Sequence, residues 1–311
     1  MLPSHHANGE RCMEAHGRTA EHVAGEAAGD GLHDILWTPI GTATVDAARL
    51  RMGAHVLNAC CGSGATALAA AERTSPVGTV DAVGPSAPLI TRARGEAAAR
   101  RLSNVHFVQG DVLKCPPRRG GYDSVLCSGG TNAFSDPAST TEWLLQLLRP
   151  GGRLTVSVWA EASLEPLAET LLQALALAEA VPESTLWSGA EHNPTGTHAL
   201  LREWLTARSL SFPDIRTHRL TLPADPKLLW PLVLGTPLKG LLDGLTPAAT
   251  ACVRRRFAQV LLAGRRETLD VATLIGTGTL CRVMPAVRAG DARPWRDKTH
   301  PVRDAGPPTP P

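Results

Sequence analysis

Between about residues 33 and 160, short apolar runs alternate with longer helix-favouring stretches. Residues 55–59 (HVLNA) form an apolar run that enters a Gly-rich turn, and the Ala-rich 65–73 (ATALAAAER) favours helix. Residues 79–83 (TVDAV) read as the next strand, and 87–101 as a helix carrying Arg92, Arg94, Arg100 and Arg101. Residues 105–109 (VHFVQ) alternate apolar and polar as a strand does, and 123–127 (DSVLC) form another short strand. Ser139-Thr140-Thr141-Glu142 reads as a capping box before an apolar helix at 143–148, which Pro150-Gly151-Gly152 stops. Residues 153–159 (RLTVSVW) are strand-like again. A strand–helix series of this kind predicts an α/β fold, a mostly parallel sheet covered by helices on both faces.

After Trp159 the rhythm changes. Leu164, Leu167, Leu171, Leu172 and Leu175 stand at helical spacing, so 162–180 is an amphipathic helix. Residues 185–197 read as a loop, 198–210 as a helix, 215–222 as a strand, 226–263 as interrupted helix, and 271–284 as containing a closing strand. The sheet is expected to resume after a helical lid insertion. Four regions follow: a flexible N-terminal tail (1–32), a Rossmann-like core (33–160), a lid with closing strands (161–292), and a tail (293–311) whose six prolines predict disorder.

Charge and cysteine usage narrow the partners. The net charge is +2 with 19% charged residues, which supplies no basic field for nucleic acid. No run approaches the ~20 apolar residues that span a bilayer, and the polar, His-rich N-terminus does not read as a secretory leader. Seven cysteines at irregular spacing suggest free thiols in a reducing, cytoplasmic setting, with no paired CxxC for a metal. The expected partner is a small apolar organic molecule. Trp187, Trp204 and Trp230, with the Leu residues of the lid, are candidates to close over it. His33, His192 and His198 flank the predicted pocket mouth or lid, and each reads better as a solvated or capping residue than as a catalytic one. No catalytic residue stands out.

The strongest motif is 56–68, VLNACCGSGATAL, a strand running through a Gly-rich turn into a helix. Gly62 and Gly64 let the backbone approach a ligand, and the helix offers its N-terminal N–H groups. Four further segments follow in order: TVDAVG (79–84), NVHFVQGDV (104–112), YDSVLCSGGTNAFSDP (122–137) and LLRPGGRLTVSVW (147–159). Together they resemble the class I S-adenosylmethionine (SAM) methyltransferases, particularly the small-molecule group related to ubiquinone and menaquinone methyltransferases. The resemblance implies a seven-stranded Rossmann-like sheet and SAM as cofactor. It implies that Gly62 and Gly64 pack against the methionine part of SAM. It also implies that Asp111 accepts from the adenine amino group, that the Val112 N–H meets the ring, and that Ser128 lines the cofactor or substrate cavity.

Three positions depart from the family pattern. Asn58 stands where the motif has an acid, Cys60 where it has Gly or Ala, and Gly84 where an acid would hold both ribose hydroxyls. Charge-assisted hydrogen bonds contribute roughly 1.5–3 kcal/mol each. Losing a two-pronged ribose clamp would therefore weaken SAM by roughly 100-fold or more. The expected function is a SAM-dependent methyltransferase of natural-product tailoring. The alternatives are a SAM-independent cyclase or pericyclase in polyketide biosynthesis on the same fold, and a non-catalytic relative.

Overall fold

A computed structural model describes residues 32–129, 137–180 and 195–281. A single π turn, His33–Trp37, runs into helix α1 (Thr38–Ala48), whose Pro39 lies in the first turn where a missing N–H costs nothing. The core then follows as β1 (His55–Ala59), α2 (Ala65–Thr74), β2 (Thr79–Gly84), α3 (Ala87–Ala99), β3 (Val105–Gln109), β4 (Tyr122–Cys127), α4 (Pro137–Leu147) and β5 (Leu148–Trp159). Beyond it come α5 (Glu165–Leu177), α6 (His198–Ala207), β6 (Leu210–Pro223), α7 (Pro226–Leu234), α8 (Pro247–Ala263) and β7 (Thr268–Leu280). The seven strands form one sheet in the order β3-β2-β1-β4-β5-β7-β6. Strands β1 to β5 are parallel, β7 lies antiparallel to β5, and β6 antiparallel to β7. Strand order reverses between β1 and β4, and the carboxyl edge at that switch point is where open α/β sheets hold ligands.

Three apolar clusters hold the layers together. One face of the sheet carries Leu57, Val125, Leu154, Val156 and Leu274, covered by α4 and by Leu201 and Leu205 of α6. The opposite face packs Val56, Val80, Ala82 and Leu126 against the Ala-rich side of α2, Ala93 and Ala97 of α3, and Val45 and Ala48 of α1. The third cluster is the lid. It joins α5, α7 and α8 to Leu32, Leu36 and Ile40 of the N-terminal helix and to Trp159, Leu222 and Val271 of the long strands, with Trp230 edge-on to Phe257. The lid helices therefore come from two insertions, one after β5 and one between β6 and β7. Side-chain caps start three of the helices: Thr197 for α6, Asp225 for α7 and Thr246 for α8.

Several sequence expectations are corrected. The helix expected at 143–148 is α4, which begins at Pro137, so Ser139 and Thr140 lie within it rather than capping it. It ends at Leu147, before Pro150-Gly151-Gly152. That tripeptide lies in the irregular start of β5, where pairing with β4 shifts register between Tyr122 and Ser124. Strand β6 is longer than the 215–222 read from its alternation and reaches back to Leu210 through a register shift beside Phe212 and Pro213. Trp204 does not join the lid. It packs beside the α6 cluster with the Arg208 guanidinium 4.2 Å over its ring. Trp187, His192 and the Pro-rich tail lie outside the described residues. No helix among the described residues is long and apolar enough to cross a membrane.

Candidate cofactor and substrate site

The turn after β1 closes through three residues at positive φ: Cys60 (54°), Gly62 (52°) and Gly64 (90°). Backbone bonds tie it down, with Cys61 N–H donating to Val83 O and Gly64 N–H to Cys61 O, both at 2.8 Å. Cys60 adopts a left-handed conformation that a side chain disfavours by roughly 1–2 kcal/mol, at the position where the resembled pattern has a residue without one or with only a methyl. Gly64 also answers to packing: a Cβ there would sit 2.8 Å from Ala93 Cβ and 3.2 Å from the Phe107 ring, where α2 meets α3 and β3.

Asn58 is fully buried in β1. Its Nδ2 donates to Leu126 O of β4 at 3.3 Å, while Oδ1 is buried with no hydrogen-bond partner. That orphaned acceptor lies at the base of the Gly-rich turn, on the residue that replaces the motif's acid. Gly84 ends β2 without a positive φ. A Cβ built there would meet Cys61 Sγ at 3.1 Å, which a shift of a few tenths of an ångström relieves. Asp111 is exposed and caps the short 3₁₀ turn Val112–Lys114, Oδ1 accepting from Leu113 N–H at 3.0 Å. Val112 is buried, and its carbonyl accepts from Trp143 Nε1 at 3.0 Å. Ser128, just past β4, pairs its hydroxyl with Thr66 Oγ1 of α2 at 2.7 Å, which joins the turn's helix to the next strand end. Asn58, Cys60, Gly62, Ser128 and Gly84 thus all stand at the carboxyl ends of β1, β4 and β2 or in the turn between them. Beside them, burial pushes the Cys127 thiol up to about 12, so it stays protonated at neutral pH.

His33 corrects the expectation of a solvated histidine. It is 5% exposed and its Nδ1 lies 2.8 Å from Ser63 Oγ, inside the Gly-rich turn. Burial, then the positive charge of Arg92, hold its pKa below the usual histidine value, so the neutral ring is favoured. The π turn is thereby latched onto the turn after β1, thirty residues away in sequence. His198, by contrast, is exposed and bonds Thr217 Oγ1 at 2.8 Å.

Sequence reasoning did not single out the polar side of the same sheet. Ser124, Thr155, Ser157 and Thr277 are buried on β4, β5 and β7. Thr155 and Ser124 hydroxyls and Arg153 Nε are buried without partners, and burial lowers the Arg153 pKa. The available signal was the alternation in RLTVSVW and in the closing strand, which separates polar from apolar positions without saying that both faces are covered.

Comparison with known proteins agrees with this architecture. Residues 50–203 match the family described as "Methyltransferase domain". A demethylmenaquinone methyltransferase of Thermus thermophilus is 34% identical over 123 residues, which is 40% of this chain and 54% of that protein. The enzyme of the same name from Lactococcus lactis is 26% identical over 102 residues, 33% of this chain and 40% of that protein. The chain thus spans about half the length of the curated relatives it matches. Among solved structures, YjhP from E. coli aligns with a TM-score of 0.53 at 16% identity, covering 83% of this chain and 99% of that one. YcgJ from Bacillus subtilis gives 0.50 at 18% identity, covering 79% and 99%. At these identities the structural likeness speaks for the fold alone.

Proposed function

Because the chain belongs to the class I SAM methyltransferase family, we propose that it transfers a methyl group from SAM to a small, largely apolar acceptor in natural-product tailoring. The observation that carries this reading is the β1–α2 turn, held at positive φ over three residues at the sheet's switch point, with the unpaired Asn58 Oδ1 at its base. The orphaned acceptor suits the positively charged ammonium of a methionyl group, and Gly62 keeps the backbone open beside it. In this reading Asp111 and Val112 are assigned to the adenine ring. SAM supplies a methyl group on a positively charged sulfur, so positioning of the acceptor carries most of the catalysis. Relatives named for demethylmenaquinone support a small-molecule acceptor, and a net charge of +2 argues against nucleic acid.

Gly84 favours one second reading, cyclisation without SAM, because the ribose carboxylate is absent and Cys61 Sγ crowds the place of its Cβ. Gly84→Asp separates the two. A carboxylate there accepts two hydroxyl hydrogen bonds, so SAM affinity measured by calorimetry rises at least about tenfold. Gly84→Asp with Cys61→Ala makes room if the single variant melts early. Methyl transfer limited by SAM binding then speeds up at low SAM. Turnover of a SAM-independent reaction stays flat or falls when SAM is added. Equal SAM affinity of folded variant and wild type would remove Gly84 from the ribose site.

A further inference from the structure

The π turn His33–Trp37 joins two parts of the molecule that the chain builds far apart. Leu32 and Leu36 belong to the apolar cluster of the lid helices, and Trp37 packs edge-on against Trp159 with ring centroids 6.2 Å apart. His33 is engaged elsewhere: its Nδ1 meets Ser63 Oγ at 2.8 Å, and both residues are buried. Ser63 lies between Gly62 and Gly64, at φ 52° and 90°, inside the turn after β1.

A turn built on glycines has few side chains of its own to hold its shape. Here two hydroxyls tie it to other elements. Thr66 Oγ1, at the start of α2, meets Ser128 Oγ beyond β4 at 2.7 Å. Ser63 is tied to His33, and that tie comes from a firmly placed element. A Cβ on Gly41 of α1 would meet Thr66 N at 2.9 Å and Ala65 C at 3.0 Å, so α1 lies in close backbone contact with the start of α2. The π turn runs directly into α1, with Thr38 N–H donating to His33 O. Single π turns interrupt the regular helical ladder and concentrate at functional sites. Burying an imidazole costs its hydration unless a partner replaces the lost water, and Ser63 is such a partner. Burial and Arg92 of α3 favour the neutral ring, with Asp34, Glu96 and Arg100 also close enough to act on it.

We propose that His33 is a positioning residue for the cofactor: through Ser63 it holds the Gly-rich turn in the shape that accepts SAM. It acts through Ser63 rather than by touching the cofactor. Because the same π turn carries Leu36 and Trp37 into the lid, the shape of the cofactor turn is tied to the seating of this segment. The proposal rests on the methyltransferase reading, since it takes the turn as the SAM site.

SAM titrations of the full chain by ligand-observed NMR test this with His33→Phe, His33→Asn, Ser63→Ala and the double variant His33→Phe with Ser63→Ala. His33→Phe keeps a planar ring and removes the nitrogen that reaches Ser63. SAM then binds about three- to tenfold more weakly, the equivalent of one hydrogen bond. Ser63→Ala weakens SAM by the same factor, and the double variant by no more, because both changes remove one contact. Asn offers an amide group near the place of Nδ1, so His33→Asn binds SAM within about twofold of wild type even where its smaller side chain lowers the melting temperature. That rescue separates positioning from a merely structural role, in which SAM affinity would follow melting temperature across the variants. If His33→Phe melts too early to titrate, Ser63→Ala, which deletes a single oxygen, and His33→Asn carry the test. Equal SAM affinity of wild type and folded His33→Phe or Ser63→Ala overturns the proposal and leaves the methyltransferase reading standing. So do additive losses in the double variant, or affinities that follow stability. A wild type that binds no SAM removes both.

Discussion

The two faces of the central sheet are built from the same strands and are both covered, yet they are chemically unlike. On β5, Leu154, Val156 and Val158 point into an apolar cluster with Leu57 and Val125 behind α4 and α6. The alternate residues Arg153, Thr155 and Ser157 share the other face with Ser124 and Asn58, under α1. Parallel sheets buried on both sides ordinarily read as continuous apolar runs. Here the first side packs Leu57, Val125, Leu154 and Val156, whereas the second carries the apolar cluster of Val56, Val80, Ala82 and Leu126 and, beside it on β1, β4 and β5, buried polar atoms without a hydrogen-bond partner. On β4 and β5 the first face is therefore held by packing, while the second mixes an apolar cluster with the unpartnered atoms of Asn58, Ser124 and Thr155. Helix α1 suits a cover for the second face. Its Gly41 lies so close to α2 that a Cβ would meet Thr66 N at 2.9 Å.

Substitutions on adjacent residues of β5 test this contrast. Leu154→Ala on the apolar face removes a fully buried side chain and costs about 2–5 kcal/mol in urea or thermal unfolding. Thr155→Val, one residue on, removes an unpartnered buried hydroxyl at nearly constant shape and stabilises by about 1 kcal/mol. A Thr155→Val loss as large as that of Leu154→Ala would mean that the polar face is part of the folding core after all. The smallest expected effect is at the turn. Cys60→Gly relieves a left-handed side chain worth roughly 1–2 kcal/mol. Greater unfolded-chain freedom offsets roughly 0.4–1 kcal/mol of that. The net is a rise in melting temperature of about 2 °C. A fall would show that the Cys60 side chain holds the turn together.

Much of the architecture was legible because its signals are local. The turn in VLNACCGSGATAL, the short apolar strands and the later motifs each lie within one stretch of chain, and their order implied the sheet. What stayed hidden depends on residues far apart. His33 reaches Ser63 only through tertiary folding, so its sequence neighbourhood suggested an exposed ring. Alternation in RLTVSVW separates two faces but cannot say that α1 covers the polar one. Thr273 and His218 become neighbours of Trp159 only through antiparallel pairing of strands that the chain reaches after two lid insertions. At the turn, the motif marks Gly64 as a place of close backbone approach, but the Ala93 and Phe107 contacts that a Cβ there would make come from elements distant in sequence.

The account turns on whether the turn after β1 holds SAM despite Asn58, Cys60 and Gly84. Isothermal titration of the full chain with SAM measures this directly, with Asp111→Ala as the companion variant. Saturable binding in roughly the high-micromolar range is expected from the loss of the ribose clamp. Asp111→Ala should bind more weakly with an unchanged melting temperature, since Asp111 is exposed and its cap serves only a three-residue turn. No saturable heat up to millimolar SAM, or an Asp111→Ala variant that binds as wild type does while melting early, would contradict it.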